Sequence, residues 1–136
     1  MKKRIFYAAF LAILLLVAGL LWWNAPVFFL REAAAEKIAS IEVFDGNTGN
    51  SFTIRDPYFI TQITENIRQR PFKKERLSLF FVGSAFRLSF YDEDGNLLEA
   101  LTVNSANTIR QDPFFYFDEQ QGLCFDLLCH LEEQSA

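Results

Sequence analysis

The fold is decided by residues 86–103, which read FRLSFYDEDGNLLEALTV. The first six residues alternate between apolar side chains and polar or amphipathic ones, and residues 92–96 are dense in turn formers. A second, mostly apolar run then follows over 97–103. Two such runs on either side of a glycine-containing turn predict a β-hairpin with one face in a core.

A second hairpin is predicted upstream of the first. Ile41 and Val43 alternate with Glu42, residues 45–50 are turn formers, and residues 52–55 again alternate between apolar and polar side chains. We therefore expect two hairpins in one antiparallel sheet.

A helix is predicted between these hairpins, from about Pro57 to Gln69. Asp56 is a preferred N-cap residue, and proline is favoured at the first helical position. Pro71 makes continuation of the helix unfavourable. The apolar residues at helical spacing are Phe59, Ile60, Ile63 and Ile67.

Two further elements complete the predicted domain. Residues 114–117 form a short aromatic strand, and leucines at spacings of four and three predict a closing helix over 123–131. The resulting prediction is an α+β domain with an antiparallel sheet of about five strands and two helices.

The amino terminus has the pattern of a membrane anchor. Three basic residues in 1–4 precede nineteen uncharged residues, 5–23. Such a helix is about 28 Å long, close to the roughly 30 Å hydrocarbon core of a bilayer. The preceding positive charges favour a cytoplasmic amino terminus, and Trp22 and Trp23 fall where an interfacial aromatic belt is expected.

The sequence therefore predicts four segments. They are a cytoplasmic tail (1–4), a transmembrane signal anchor (5–23), a helical stalk or linker (24–37) and an extracytoplasmic domain (38–136). This gives a single-pass protein of the cell membrane, with its amino terminus inside and its carboxyl terminus outside. The alternative is a cleaved secretory signal, because the small residues 33–35 suit a signal peptidase, and the domain would then be secreted.

Charge limits the partners of the predicted domain. From Ile38 onward it carries 8 basic and 15 acidic side chains, a formal net charge of −7, which argues against nucleic-acid binding. Five of the bases form a candidate patch for an anionic partner such as a phospholipid headgroup or a wall polymer; the alternative is a solvated segment after a helix. The five are Arg68, Arg70, Lys73, Lys74 and Arg76.

Candidate catalytic and metal-binding residues are few. Asp92, Asp94 and Asn96 have the spacing that opens a calcium loop, but the glycine and glutamate such a loop requires are missing from its later positions, so a turn explains them better. Cys124 and Cys129 are a candidate disulfide, with two unpaired thiols as the alternative. We predict no catalytic residues, cofactor or metal.

Aromatic residues stand out in the domain, since twelve of the sixteen phenylalanines lie beyond Ile38. Adjacent side chains of a strand point to opposite faces, so neighbouring aromatics cannot all enter one core layer. Either other segments cover them, or they form an exposed interaction surface. The candidate residues are Phe80, Phe81, Phe114, Phe115, Tyr116 and Phe117.

The order of elements resembles that of small membrane-anchored extracytoplasmic proteins of unknown function from Gram-positive bacteria. The resemblance rests on the anchor, the helix that starts at Asp56-Pro57, the run FYDEDGN at 90–96 and the run LTV at 101–103. It implies an envelope location and no activity. The preferred functional hypothesis is a membrane-tethered interaction or sensory module that binds an envelope protein or peptide; the alternative is an envelope enzyme that uses cysteine or carboxylate chemistry.

Overall fold

A computed structural model describes residues 1–83 and 85–135 of the chain. Ser84 and Ala136, the last residue of the predicted domain, lie outside the described residues. The elements in chain order are α1 (Lys2–Asn24), a 3₁₀ turn (Ala35–Lys37), β1 (Ser40–Asp45), β2 (Ser51–Ile54), α2 (Pro57–Arg68), β3 (Lys73–Leu77), β4 (Phe86–Tyr91), β5 (Leu97–Val103), β6 (Thr108–Gln111), β7 (Phe114–Phe117) and α3 (Phe125–Ser135).

The strands form one antiparallel sheet in the order β2-β1-β4-β5-β6-β7-β3. The α+β class and both predicted hairpins, β1–β2 and β4–β5, are confirmed. The predicted count of about five strands is wrong, because the sheet has seven. The two strands that the sequence did not reveal are β3, a highly charged edge strand, and β6, four residues between β5 and β7.

One face of the sheet carries the hydrophobic core. Ile41 and Val43 of β1 and Leu88 and Phe90 of β4 are almost fully buried, with polar or half-exposed neighbours between them. Both α2 and α3 bury apolar side chains in the same core. The predicted start of α2 is confirmed, since the Asp56 side chain accepts a hydrogen bond from the backbone N–H of Tyr58 at 2.9 Å. Helix α3 starts two residues later than predicted and extends to Ser135.

The segment between α1 and the sheet differs from the predicted helical stalk. It is irregular apart from the 3₁₀ turn, and Phe29, Leu30 and Ala33 are 2%, 1% and 5% exposed. The ring of Phe29 meets those of Phe72 and Tyr116 at centroid distances of 5.2 and 5.0 Å. Burial of these side chains outweighs the helix propensity of the alanine-rich stretch. The core therefore begins well before Ile38.

Helix α1 ends against the edge of this domain. Lys74 donates a hydrogen bond from Nζ to the carbonyl oxygen of Trp22 at 2.9 Å, and its ammonium lies 4.2 Å from the Trp22 ring centroid. The Phe114 ring lies 5.9 Å from Trp22 and 5.6 Å from Trp23. All residues of α1 are described, and none is buried.

Within the described residues, α1 is the one helix long and apolar enough to cross a membrane. A secretory signal sequence near the amino terminus can also form such an apolar helix, so this property alone fits both an anchor and a signal.

Candidate functional site

The face of the sheet opposite the helices carries a row of side chains that crosses six strands, which we call the outer row. Each member is the cross-strand partner of the next, so the antiparallel register places them side by side. The outer row consists of Phe44, Arg87, Thr102, Arg110, Phe115 and Arg76.

In the half of the outer row over β1, β4 and β5, which we call the open half, Phe44 and Arg87 are exposed, whereas Thr102 is buried. Two shallow depressions, of about 430 and about 420 Å³, lie on either side of β4 and share Arg87 and Ser89 in their walls. Phe44 is 42% exposed. Arg87 makes no salt bridge within 4.0 Å to any residue that the structure describes. This half therefore offers an accessible cation beside an exposed aromatic ring.

The other half of the outer row is covered by residues 77–83, which we call the apolar loop. The Phe81 ring packs edge-on against that of Phe115 at 5.4 Å. The Arg76 guanidinium lies 4.9 Å from the Phe81 centroid and 4.7 Å from that of Phe115. Cation–π contact and aromatic packing thus hold the apolar loop on the sheet.

Hydrogen bonds fix the base of the apolar loop. Arg110 donates from Nε to Asp112 at 2.9 Å and from Nη1 to the carbonyl oxygens of Phe81 and Gly83 at 3.0 and 3.4 Å. The Ser78 hydroxyl donates to the same carboxylate at 2.5 Å. The hydrogen bond from Ser78, with that from Arg110, lowers the pKa of Asp112.

No protein-family model, curated protein or solved structure matches this chain. The resemblance to small Gram-positive extracytoplasmic proteins therefore stays a prediction, and the site is interpreted from its own residues.

The structure divides the predicted aromatic surface into two parts. Phe115 and Tyr116 are 7% and 8% exposed, and Phe114 and Phe117 are half-buried. Strand β7 is thus an internal element and offers no continuous aromatic surface, because α1, Phe29 and the apolar loop cover it. Phe80 is 99% exposed and Phe81 48%, so the exposed aromatic surface lies in the apolar loop.

The predicted basic patch is largely engaged inside the protein. Arg70 donates to the buried Asp118 carboxylate at 2.7 Å. Lys73 pairs with Glu119 at 3.0 Å, and Arg68 lies 3.8 Å from Glu65. With Lys74 on Trp22 and Arg76 on two aromatic rings, each of the five cations already has an intramolecular partner.

The cysteines are free thiols in different surroundings. Cys124 is buried, and burial raises its pKa to about 12. Cys129 is half-buried, and desolvation, with nearby carboxylates, also raises its pKa. Because the thiolate is the nucleophile, the buried Cys124 thiol is unreactive near neutral pH, and the raised pKa of Cys129 lowers its reactivity. The structure therefore favours two thiols over the candidate disulfide.

Residues 92–96 form a turn that is held by hydrogen bonds to the Asp92 carboxylate. The Asp92 carboxylate accepts hydrogen bonds from the backbone N–H groups of Asp94 and Asn96 at 3.0 and 2.8 Å. The hydrogen bond from Asn96 lowers its pKa. Across residues 1–83 and 85–135, no group of three or more His, Cys, Asp or Glu residues is placed to hold a metal ion.

The sequence did not predict the outer row. The alternation in β4 already placed Arg87 on the solvent side, opposite Phe86 and Leu88. Arg110 belongs to a strand with no recognisable pattern, so nothing indicated that it would stand in line with Arg87.

Proposed function

We propose that this chain is a membrane-tethered extracytoplasmic interaction module. In this proposal α1 spans the membrane with its amino terminus inside, and the domain binds an envelope protein or peptide on the open half of the outer row. The basic residues before α1 favour this orientation.

The tether rests on one observation: the residues directly after α1 belong to the domain core. Cleavage after the small residues 33–35 would remove Phe29, Leu30 and Ala33, which are at most 5% exposed. Truncating one large core side chain lowers the free energy of unfolding by about 2–5 kcal/mol. A domain's whole free energy of unfolding is about 5–15 kcal/mol, so losing all three residues would remove most of it. A permanent anchor keeps these residues attached to the domain, so their burial supports the anchor over cleavage after residues 33–35.

We place the binding surface on the part of the sheet that neither the helices nor the apolar loop covers. The apolar loop occupies the β6–β7–β3 half of the outer face, and the helices occupy the other side of the sheet. Arg87, which forms no salt bridge within 4.0 Å to a described residue, supplies a charge for a carboxylate, and Phe44 supplies apolar contact area. Together they suit an extended segment with acidic and apolar side chains.

Photo-crosslinking in native membranes tests this proposal. A photoreactive phenylalanine analogue is placed at Phe44 in the full-length chain, and at Tyr58 as a matched control. Tyr58 is aromatic and 62% exposed but lies on α2, away from the outer row. We expect a discrete protein adduct from position 44 alone, and its loss in the Arg87→Glu variant.

Two results would contradict the binding surface. One is equal adducts from positions 44 and 58, which would indicate random collision. The other is an adduct at position 44 that persists in Arg87→Glu, because the charge would then contribute nothing to recognition. The Arg87 side chain is exposed, so the variant is expected to fold normally.

An enzyme of the envelope is the alternative function. The thiol version is disfavoured because burial raises the pKa of Cys124 to about 12 and the pKa of Cys129 also rises. We find no observation that favours a carboxylate version, and we do not propose one.

A further inference from the structure

The apolar loop exposes large apolar side chains at residue 77 and at residues 79–82. Phe80 and Val82 are fully exposed, and Leu77, Leu79 and Phe81 are 55%, 47% and 48% exposed. Single exposed apolar residues are ordinary, but four in succession at residues 79–82 mark a contact with a protein or a membrane.

The direction of β3 places this loop at the membrane end of the domain. Beyond α1, Val27 pairs antiparallel with Phe72 through two backbone hydrogen bonds of 2.7 and 2.9 Å. The chain leaves α1 toward Val27, so its antiparallel partner runs back from Phe72 toward the end of α1. The contact of Lys74 with Trp22 confirms this direction.

Strand β3 ends at the level of the two tryptophans. Its last residue, Leu77, is the cross-strand partner of Phe114, whose ring lies within 6 Å of both Trp22 and Trp23. Tryptophans at the end of a membrane-spanning helix lie in the headgroup region. The apolar loop continues from that level as a tight turn, in which the backbone N–H of Phe81 donates to the carbonyl oxygen of Ser78 at 3.3 Å and the Phe80 side chain is exposed.

The exposed side chains are presented by a fixed backbone. Phe80 has a φ of 70°, which is unusual for a large side chain. The hydrogen bonds from Arg110 to the carbonyl oxygens of Phe81 and Gly83 hold the backbone directly after this position. A strained, fully exposed phenylalanine that the surrounding structure holds in place indicates a functional constraint.

Positive charges surround the same loop. Arg76 precedes it, Arg110 holds its base, and Lys74 lies beside Trp22. Although the domain as a whole is acidic, this end offers cations at the height where phospholipid headgroups would lie.

We propose that the apolar loop inserts into the outer leaflet of the membrane that α1 spans. The domain then has two membrane attachments, α1 and the apolar loop, with Phe80 and Val82 among the acyl chains and Arg76 at the headgroups. This inference rests on the proposed membrane tether. Two attachments fix the orientation of the domain, so that the open half of the outer row keeps one direction relative to the membrane surface.

Spin labels on the full-length chain test the insertion. The protein carries Cys124→Ala and Cys129→Ala and is reconstituted in vesicles of phosphatidylethanolamine and phosphatidylglycerol. Single labels are attached through Phe80→Cys, through Leu14→Cys in the middle of α1 and through Asn47→Cys in the exposed β1–β2 turn. Collision rates with oxygen, which concentrates in lipid, and with a water-soluble nickel chelate are measured at each position.

We expect position 80 to resemble position 14, with high oxygen and low nickel access, while position 47 shows the reverse. Position 14 in lipid with position 80 in water overturns the insertion and leaves the tether intact. Low access of both reagents at position 80 also overturns it, because protein then covers the loop. Position 14 in water overturns the tether and the insertion together.

Discussion

Replacing Phe29 by alanine tests whether the segment after α1 is part of the domain. The Phe29 ring is 2% exposed and contacts Phe72, which directly precedes β3, and Tyr116 of β7. Truncation of a buried phenylalanine costs about 3–5 kcal/mol. At about 4–6 °C per kcal/mol for a domain of this size, the melting temperature should fall by about 12–30 °C.

The neighbouring Phe28→Ala variant is the matched control. Phe28 is half-buried, lies outside the core cluster and contacts the Arg31 guanidinium at 5.0 Å. Its truncation should cost less than about 1 kcal/mol. Urea unfolding of the full-length chains in detergent micelles, followed by near-ultraviolet circular dichroism, compares the two variants. Equal losses of stability in Phe28→Ala and Phe29→Ala would refute the assignment of this segment to the core.

Three further changes have definite expected outcomes. Arg70→Met should lower the free energy of unfolding by about 3–5 kcal/mol in urea titrations, because it leaves the buried Asp118 carboxylate without its partner; a loss below about 1 kcal/mol would contradict this ion pair. Asp56→Ala should cost about 1 kcal/mol in the same assay by removing the N-cap of α2, and no loss would contradict the cap. Iodoacetamide should alkylate Cys129 well before Cys124 at pH 8, by peptide mass mapping, and at equal rates in urea; equal rates in the folded protein would contradict the burial of Cys124.

Local patterns predicted the elements that have local causes. The hairpin over 86–103 and the helix that starts at Asp56 follow from alternation, turn residues and an N-cap, and all of these act over a few residues. Strands β3 and β6 were not predictable in this way. Lys73–Leu77 is mostly exposed and is a strand because β7 lies beside it, which is a tertiary cause.

The same distinction explains the errors at the linker and at the candidate sites. Residues 31–37 have high helix propensity, but the neighbouring Phe29 and Leu30 gain more by entering the core than a helix would gain. The intramolecular partners of the clustered bases, such as Asp118 and Glu119, are far away in sequence, so local patterns could not predict these ion pairs. The outer row joins six strands, so only the sheet order reveals it.

The intact mass of the protein recovered from membranes and from the medium of an expressing bacterium tests the central claim most directly. We expect a full-length chain of 15.7 kDa in the membrane fraction. The full length is expected because Phe29 and Leu30, which follow α1 closely in the chain, belong to the domain core. A folded product in the medium that starts near Glu36 would contradict the membrane tether and the core assignment of Phe29 and Leu30.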